Sequence, residues 1–192
     1  MKKVKVLRVM LLSSVAMSVI GCAGTPKTAE SLPTANGNGA VVIPISMENT
    51  NEAKKYPCRS ISFEVKKVFR APEELDKSEA REIYLFDKPD FGLITDLEPG
   101  EYMFDEFKCH ANYRRVFNDG QSYIRKRASV YFEVEPNTVT VSSQTFVGES
   151  EYDATGSSSF SAHFEYVTEQ DKEKAIKALK AKGVPAGWSF NF

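Results

Sequence analysis

The chain contains little histidine, cysteine or tryptophan: its 192 residues include two, three and one of these, respectively. Two histidines supply little material for acid–base catalysis by imidazole, and no serine lies in the Gly-x-Ser-x-Gly pattern of a nucleophile elbow. The longest mostly apolar run, residues 9–20, has about a dozen residues, which is too short for a helix that crosses a bilayer. We therefore predict no catalytic residue, no metal site and no cofactor.

The chain also lacks an excess of positive charge, since 25 Lys and Arg residues nearly balance 26 Asp and Glu residues and the net charge is −1. Four of the positive charges lie within the first eight residues, which contain no acid. Without this basic start, the remaining chain carries a net charge of about −5. Nucleic-acid binding depends on a basic surface, so the composition argues against a nucleic-acid partner.

The start of the chain has the parts of an export signal. A basic stretch from Lys2 to Arg8 precedes the apolar run, which ends in Val19-Ile20-Gly21-Cys22. This order is typical of a secretory signal, and the last four residues resemble the lipobox of bacterial lipoproteins. The resemblance implies that residues 1–21 are removed as a signal peptide and that Cys22 carries lipid as the new N-terminus. The alternative is a buried helix that happens to end in cysteine.

Lipidation would determine where the protein resides. Two or three acyl chains form a lasting anchor, because each buried methylene contributes roughly 0.8 kcal/mol and one chain alone binds only marginally. The cysteine is followed by Ala23 and Gly24, whereas in lipoproteins of this type an aspartate just after the cysteine often retains the protein at the inner membrane. The resemblance thus implies a lipid-anchored protein of the cell envelope and favours the outer membrane over the inner membrane.

Composition divides the mature chain into a tether and a domain. Residues 22–39 begin with the lipidated cysteine and continue with Pro, Thr, Ala, Asn and Gly but few large apolar side chains. Such a segment buries too little surface to offset its ordering entropy, so we predict a flexible tether that lets the domain stand off the lipid surface. Residues 40–192 are predicted to form a single domain.

Alternation of apolar and polar residues predicts strands along most of this domain. The predicted strands are residues 41–47, 61–69, 82–86, 91–97, 102–117, 122–134, 139–147 and 160–166. Pro44 cannot donate to a ladder, which places the first strand at a sheet edge or at a bulge. The alternation slips near Glu106, where a second bulge is expected. The fold class is mainly β: an antiparallel β-sandwich of about 7–9 strands with one C-terminal helix packed on it.

The helix is predicted after the last strand. Thr168, with Asp171 three positions later, is a variant of the capping box, and Gly183 is a C-terminal stop. The apolar face consists of Ala175, Ile176 and Leu179. The tail from Trp188 to Phe192 alternates again, and its three aromatic residues are expected to pack back on the sandwich.

One turn resembles part of a known family. In Leu97-Glu98-Pro99-Gly100-Glu101-Tyr102, proline sets the first central position and glycine takes a positive backbone angle without steric cost. The six residues resemble the Leu-x-Pro-Gly-x-Tyr corner of small transthyretin-like (prealbumin-like) sandwiches, which occur in carboxypeptidase regulatory-like domains and in uncharacterised bacterial lipoproteins. The alternating strands extend the likeness loosely from about residue 40 to residue 167. The resemblance implies no enzymatic activity for this chain, because the family has no general one.

Two cysteines remain once Cys22 carries lipid. Cys58 and Cys109 would lie in an oxidising envelope compartment, where a disulfide is expected. A zinc site built from Cys58, Cys109 and His110 has no fourth ligand and no finger spacing. We predict a Cys58–Cys109 disulfide, with two separate buried thiols as the alternative.

A predicted hairpin near the middle of the chain concentrates positive charge. Between Tyr113 and Arg127 the chain holds five cations and one acid, Asp119, with aromatic residues interleaved. The residues of this possible surface-binding patch are Tyr113, Arg114, Arg115, Tyr123, Arg125, Lys126 and Arg127. Such a patch suits lipid phosphates, lipopolysaccharide or an acidic partner. The alternative, which we favour, is an edge hairpin whose charges block pairing between sheets.

These patterns favour a non-catalytic binding or structural module at the periplasmic or outer-surface face of a membrane. The expected partners are the membrane, through the anchor, and an envelope protein or anionic surface. The alternative is a small-ligand or carbohydrate binder, or an enzyme whose site is built from loops. A deep pocket lined by Asp, Glu, Arg or Tyr would favour that alternative, whereas a shallow aromatic and basic surface favours the first function.

Overall fold

The computed structural model describes residues 29–49, 58–68, 78–84, 89–111, 122–152 and 158–192. These residues form ten strands and one helix. In chain order they are β1 (Gly39–Asn49), β2 (Cys58–Lys67), β3 (Ser78–Tyr84), β4 (Phe91–Leu97), β5 (Gly100–Ala111), β6 (Tyr123–Val134), β7 (Thr138–Val141), β8 (Gln144–Tyr152), β9 (Ser158–Tyr166), α1 (Glu169–Ala181) and β10 (Ser189–Asn191).

The strands form two sheets that pack face to face. One sheet has four antiparallel strands in the order β3-β2-β5-β6. The other has six strands: β10, β7, β1, β8 and β9 follow one another, and β4 pairs with β1. The structure confirms a mainly β sandwich with one C-terminal helix. The sandwich is not fully antiparallel as predicted, because β1 runs parallel to β7 and β8, and β7 runs parallel to β10.

Aromatic side chains fill the space between the sheets. Phe63 of β2 is fully buried, and its ring centre lies 5.5 Å from those of Phe104 and Phe146 and 5.8 Å from that of Phe164. The rings meet tilted or edge to face, as aromatic pairs prefer. Burial of these rings supplies much of the hydrophobic free energy that holds the two sheets together.

β1 is the central strand of the six-stranded sheet and is covered on both faces. Val41 and Ile43 belong to the core between the sheets, whereas Val42 belongs to a second cluster that includes Leu179 of α1. All of these side chains are fully buried. The run Val41-Val42-Ile43 therefore reflects a strand buried on both faces, and not the half-buried strand that alternation predicts.

Pro44 lies inside this central strand and not at a sheet edge. The parallel ladder with β7 ends at Val42, and the ladder with β8 begins at Ile45. Pro44 lies between these two ladders and is the last β1 residue in the antiparallel ladder with β4, so its missing N–H interrupts neither parallel ladder. The irregularity that proline requires is supplied by the change of partner strand.

β5 contains the predicted bulge next to Glu106. The β2 residues that pair with Phe104 and Glu106 are adjacent to each other, so Asp105 is an extra residue in β5. The bulge leaves Phe104 and Phe107 both in the core, although two residues separate them. Asp105 and Glu106 both remain outside the core, where they meet basic side chains.

Two other regions contain more strand than alternation predicts. The predicted strand 139–147 is divided into β7 and β8, and β8 continues to Tyr152. β3 begins at Ser78, four residues before the predicted strand 82–86. In both regions, pairing with a neighbouring strand extends the ladder through polar residues.

α1 covers the outer face of the six-stranded sheet. Thr168 and Asp171 form the predicted capping box, and the buried residues of the helix are Ala175, Ile176 and Leu179. Gly183 has a φ of 91°, a conformation that glycine adopts without steric cost and that ends many helices. These features confirm the prediction for the helix.

Residues 29–38 lie on the same outer face, beside α1. Leu32 is buried in the cluster that contains Ala175 and Leu179, and the backbone N–H of Ala29 donates to the carbonyl oxygen of Leu93 at 3.1 Å. The structure thus differs from the predicted tether over these residues. Leu32 packs on the domain because the sheet and helix offer it an apolar surface.

Candidate functional site

A groove opens where β6, β7, β10 and the start of α1 meet. Its volume is about 350 Å³, which lies at the lower end of the range for small-ligand sites. The apolar part of its lining is formed by Phe132, Val141 and Val167. These residues are far apart in the sequence, so only the folded chain forms the groove.

Two aromatic side chains of the groove have most of their surface in solvent. Tyr131 is 62% exposed and Phe192 is 67% exposed, and both line the groove. Exposed apolar patches that are rimmed by polar residues mark interaction sites. Aromatic rings suit such sites because they supply a large contact area at a low cost in conformational entropy.

The tail of the chain brings Phe192 to this position. β10 pairs with β7, with Phe190 opposite Val139, and the indole N–H of Trp188 donates to the carbonyl oxygen of Pro33 at 2.8 Å. Trp188 and Phe190 are partly buried against the second cluster, which includes Leu179 of α1, as predicted for the tail. The expectation that all three aromatic residues pack on the sandwich is wrong for Phe192, because β10 ends at the rim of the groove.

The remaining groups of the groove are mostly uncharged. Thr140, Ser143 and Asn191 contribute two hydroxyls and one amide to the lining. Among the lining residues in the described part of the chain, Lys172 alone has a charged side chain, and its ammonium lies 2.8 Å from the carboxylate of Glu169. The groove therefore offers hydrogen bonds and aromatic surface, with its cation already neutralised.

Sequence patterns do not predict this groove. Tyr131 lies between the buried residues Val130 and Phe132. The alternation in β6 could therefore have indicated an exposed tyrosine at this position, but not a groove. Phe192 gives no such signal, because a terminal aromatic residue is compatible with a core position. Neither residue belongs to the predicted surface patch.

The structure describes the second half of that patch. Tyr113, Arg114 and Arg115 lie outside the described residues. The other four residues lie on β6, which is the last strand in the order of the four-stranded sheet. This position agrees with the edge arrangement favoured from the sequence, in which charged side chains discourage pairing with another sheet.

Neighbouring cations of β6 lie on opposite sides of the strand. The Nε of Arg125 lies 3.2 Å from the carboxylate of Glu106, outside the core. Lys126 pairs in register with the core residue Phe107, and its ammonium donates to the carbonyl oxygen of Ala162 at 3.3 Å. Ala162 belongs to β9 of the other sheet, so Lys126 bridges the two sheets at the edge of the sandwich.

Ion pairs cover the outer face of the four-stranded sheet. The ammonium of Lys108 contacts the carboxylates of Glu64 and Glu106, and it lies 5.8 Å from the centre of the Tyr123 ring. Arg127 is exposed and pairs in register with Glu106. The described cations of the predicted patch thus lie on two sides of β6, with Arg125 beside an acid, and do not form one basic surface.

The partners in these ion pairs stabilise each other's charged forms. A hydrogen bond to the Glu64 carboxylate raises the pKa of Lys108, although burial opposes the shift. Burial alone would raise the pKa of Glu64, but hydrogen bonds with Lys108 and Glu106 and the charges of Lys108 and Arg125 hold that pKa below its ordinary value. Such mutual stabilisation indicates a structural role for these groups.

A serine and a histidine meet on the same sheet. The Oγ of Ser62 and the Nε2 of His110 are 2.8 Å apart, but Ser62 is only 3% exposed, so a substrate has no access to this hydroxyl. The preceding residue, Cys109, faces the core, so it and His110 do not share a site. Among the described residues, no group of three or more His, Cys, Asp or Glu side chains is placed to hold a metal ion.

Cys109 is disulfide-bonded and buried. Cys58 lies on the adjacent strand β2, where its backbone pairs with that of Ala111, while Ile61 pairs with Cys109. This register brings the Cys58 backbone to the neighbourhood of Cys109 and agrees with Cys58 as the partner. The Cys58–Cys109 pairing itself stays a prediction.

The predicted signal peptide and Cys22 lie outside the described residues. In the part of the chain that the structure does describe, no helix combines the length and the apolar character needed to cross a membrane. The chain matches no protein-family model, no curated protein and no solved structure. Its function is therefore inferred from its own residues and their geometry.

Proposed function

We propose that this protein is a lipid-anchored component of the cell envelope, and that its sandwich is a non-catalytic binding module. The observation that carries the binding role is the groove with the exposed rings of Tyr131 and Phe192. The anchor is supported by the resemblance of Val19-Ile20-Gly21-Cys22 to a lipobox. The outer membrane is the favoured location, because Cys22 is not followed by aspartate.

A neutral carbohydrate is the ligand class that suits the groove. One face of a sugar ring is lined by C–H groups that pack against aromatic rings, and its hydroxyls both donate and accept hydrogen bonds. Tyr131 and Phe192 supply the rings, and the side chains of Thr140, Ser143 and Asn191 supply polar groups. Because Glu169 neutralises Lys172, the groove has no evident preference for an anionic ligand.

A binding role also accounts for the chemistry of the groove better than catalysis does. General acid–base catalysis needs a titratable side chain within hydrogen-bond reach of the substrate. Lys172 and Tyr131 are the titratable side chains of the described lining, and the first of these is in an ion pair. The polar groups of the groove are better suited to hold a ligand than to transfer its protons.

Calorimetric titration with neutral oligosaccharides of glucose and of N-acetylglucosamine tests the binding role. We expect at least one to bind, and we expect Tyr131→Ala and Phe192→Ala each to weaken binding by about tenfold, which corresponds to about 1.4 kcal/mol. Tyr166→Ala is the matched control, since Tyr166 is 87% exposed and does not line the groove. Failure of every oligosaccharide to bind would reject the ligand class. Equal affinities for wild type and Tyr131→Ala would reject the site.

Mass spectrometry and membrane fractionation test the anchor. Cys22→Ala should leave an unlipidated precursor, because the thiol that accepts the lipid is removed. The lipobox interpretation is wrong if this variant still has an acylated mass and still sediments with membranes.

A further inference from the structure

The C-terminal part of the chain is basic throughout. From Lys174 to Phe192 it contains four lysines and neither Asp nor Glu. The acids of α1 precede this stretch, at Glu169, Asp171 and Glu173. Positive charge is therefore concentrated in the second half of α1, within a mature chain whose net charge is about −5.

The outer side of α1 presents this charge to solvent. Ala175 and Leu179 are buried against the sheet, and the helical period of about 3.6 residues places Lys177 on the opposite side. Lys177 and Lys182 are exposed. Both ammonium groups are accessible to a partner, Lys177 on the solvent side of the helix and Lys182, the C-cap residue, at its C-terminal end.

Two further lysines add to the potential of this surface while contacting the domain itself. The ammonium of Lys174 lies 2.8 Å from the carboxylate of Asp90. That of Lys180 lies 4.9 Å from the centre of the Phe190 ring. These contacts hold the helix and its charge in a fixed position on the sandwich.

The N-terminal segment meets the domain on the same face as α1. Ala29 and Leu32 pack in the cluster that includes Leu179, and residues 23–28 separate Ala29 from Cys22. Seven Cα steps span at most about 25 Å. A domain of about 160 residues has a diameter of roughly 40 Å. A lipid on Cys22 would therefore keep the helical face close to the bilayer.

We propose that the lysine surface of α1 lies on the anchoring bilayer and binds the headgroups of anionic phospholipids. This inference rests on the lipid anchor of the proposed function. The short connection to Cys22 brings the helix to the membrane, and the exposed Lys177 and Lys182 are attracted by anionic headgroups. The groove at Tyr131 and the sheet that carries β6 then have a fixed orientation with respect to the membrane.

The cations of β6 provide a matched comparison. Arg125 and Arg127 carry the same charge as two helix lysines, but they lie on the four-stranded sheet, which α1 and the N-terminal segment do not cover. Arg125 is also paired with Glu106. If the helical face lies on the bilayer, reversing the charge of these arginines should not change the orientation of the domain on the membrane.

Lysine footprinting of the lipidated protein on vesicles tests this orientation. An amine-specific reagent and mass spectrometry measure the reactivity of each lysine on phosphatidylcholine vesicles with and without phosphatidylglycerol. We expect phosphatidylglycerol to reduce the reactivity of Lys177 and Lys182 by about threefold or more and to leave Lys126 unchanged. High salt should abolish this protection, because it screens the headgroup charge.

Charge-reversal variants identify the surface responsible. In Lys177→Glu/Lys182→Glu the protection of Lys180 by phosphatidylglycerol should disappear, whereas Arg125→Glu/Arg127→Glu should retain the wild-type footprint. Circular dichroism confirms that each variant keeps its fold.

Flotation of the same vesicles separates the two proposals. If the protein floats but Lys177 and Lys182 react equally on both kinds of vesicle, the orientation is wrong and the anchor stands. If the protein does not float, the anchor is wrong and the orientation fails with it.

Discussion

The hydroxyl of Tyr102 donates a hydrogen bond to the carbonyl oxygen of Glu98, four residues earlier, at an oxygen–oxygen distance of 2.9 Å. Between them, Gly100 has a φ of 147°, and a Cβ at this position would lie 3.0 Å from the Cε of Lys67. The corner from Leu97 to Tyr102 is thus one structural unit. Proline and glycine turn the chain and the tyrosine closes it, a device that other β-sandwiches also use at a corner.

Removal of the Tyr102 hydroxyl should weaken this corner without creating a cavity. Tyr102 is buried, and Tyr102→Phe leaves the Glu98 carbonyl without this donor. We expect the free energy of unfolding in urea to fall by about 1–2 kcal/mol. Tyr131→Phe is the control, because Tyr131 is largely exposed and should change by less than about 0.5 kcal/mol. Equal effects of the two substitutions would show that the corner bond contributes nothing measurable.

Truncation after Gly187 should destabilise the domain. It removes Trp188, whose indole is bonded to Pro33, and it removes β10 from the edge of the sheet. We expect the melting temperature to fall by several degrees, by the usual scaling for a domain of this size. Phe192→Ala should have a much smaller effect, since that ring is mostly in solvent.

Fluorescence of Trp188 provides an independent measurement, because it is the chain's one tryptophan. Its partly buried position predicts native emission at a shorter wavelength than that of the unfolded chain. Native emission typical of indole in water would contradict the packing of the tail.

Glu64 should make stability depend on pH on the acid side. The pKa of Glu64 is lower in the folded state than in the unfolded chain. Its contribution to the free energy of unfolding is therefore present above about pH 4.5 and is lost as the pH falls through the folded-state pKa. The raised pKa of Lys108 has the opposite effect on the pH dependence. The contribution of Lys108 to the free energy of unfolding is present below about pH 10.5 and is lost as the pH rises through its folded-state pKa.

Urea unfolding between pH 2 and pH 7 measures the Glu64 contribution, since about pH 2 lies below and pH 7 above the ordinary pKa of a carboxyl group. We expect Glu64→Gln to be less stable at neutral pH and to lose less stability on acidification than wild type. Glu133→Gln, at an exposed position of β6, should keep the wild-type profile. If the free energy of unfolding of Glu64→Gln falls with decreasing pH as steeply as that of wild type, the ion pair with Lys108 does not affect folding.

Peptide mapping without reduction should recover Cys109 linked to Cys58. The bridge closes a loop of about 50 residues, so loss of both cysteines should lower the free energy of unfolding by roughly 3–4 kcal/mol in the chain-entropy model. Alkylation of Cys58 in the unreduced mature protein would contradict this pairing. Because Cys109 is disulfide-bonded, that result would require a different partner for it.

Features set by neighbours in sequence are predicted well. The strand 91–97 is found with the predicted bounds, as β4, and the capping box of Thr168 and Asp171 forms as expected. The bulge next to Glu106 also follows from a local slip in alternation. In each case the residues that decide the structure lie within a few positions of one another.

Features set by distant partners are predicted poorly. Alternation shows that Val41 and Ile43 share a face, but it does not show that α1 covers Val42 on the other face. Likewise, Pro44 indicates an irregular ladder, but only the tertiary structure shows a change of partner inside a central strand. Leu32 looks like part of a tether until its apolar contacts with α1 are known.

The sequence by itself determined that this is a mainly β protein with a C-terminal helix, because periodicity, turn residues and helix caps act over short distances. It also carries the lipobox resemblance at Cys22, which is read from adjacent residues. Only the tertiary structure decided where the groove lies, because the pairing of β10 with β7 brings Phe192 to the groove that Tyr131 also lines. It likewise placed the lysines of α1 beside the N-terminal segment. Such juxtapositions depend on which apolar faces pack together, and a linear pattern does not specify that choice.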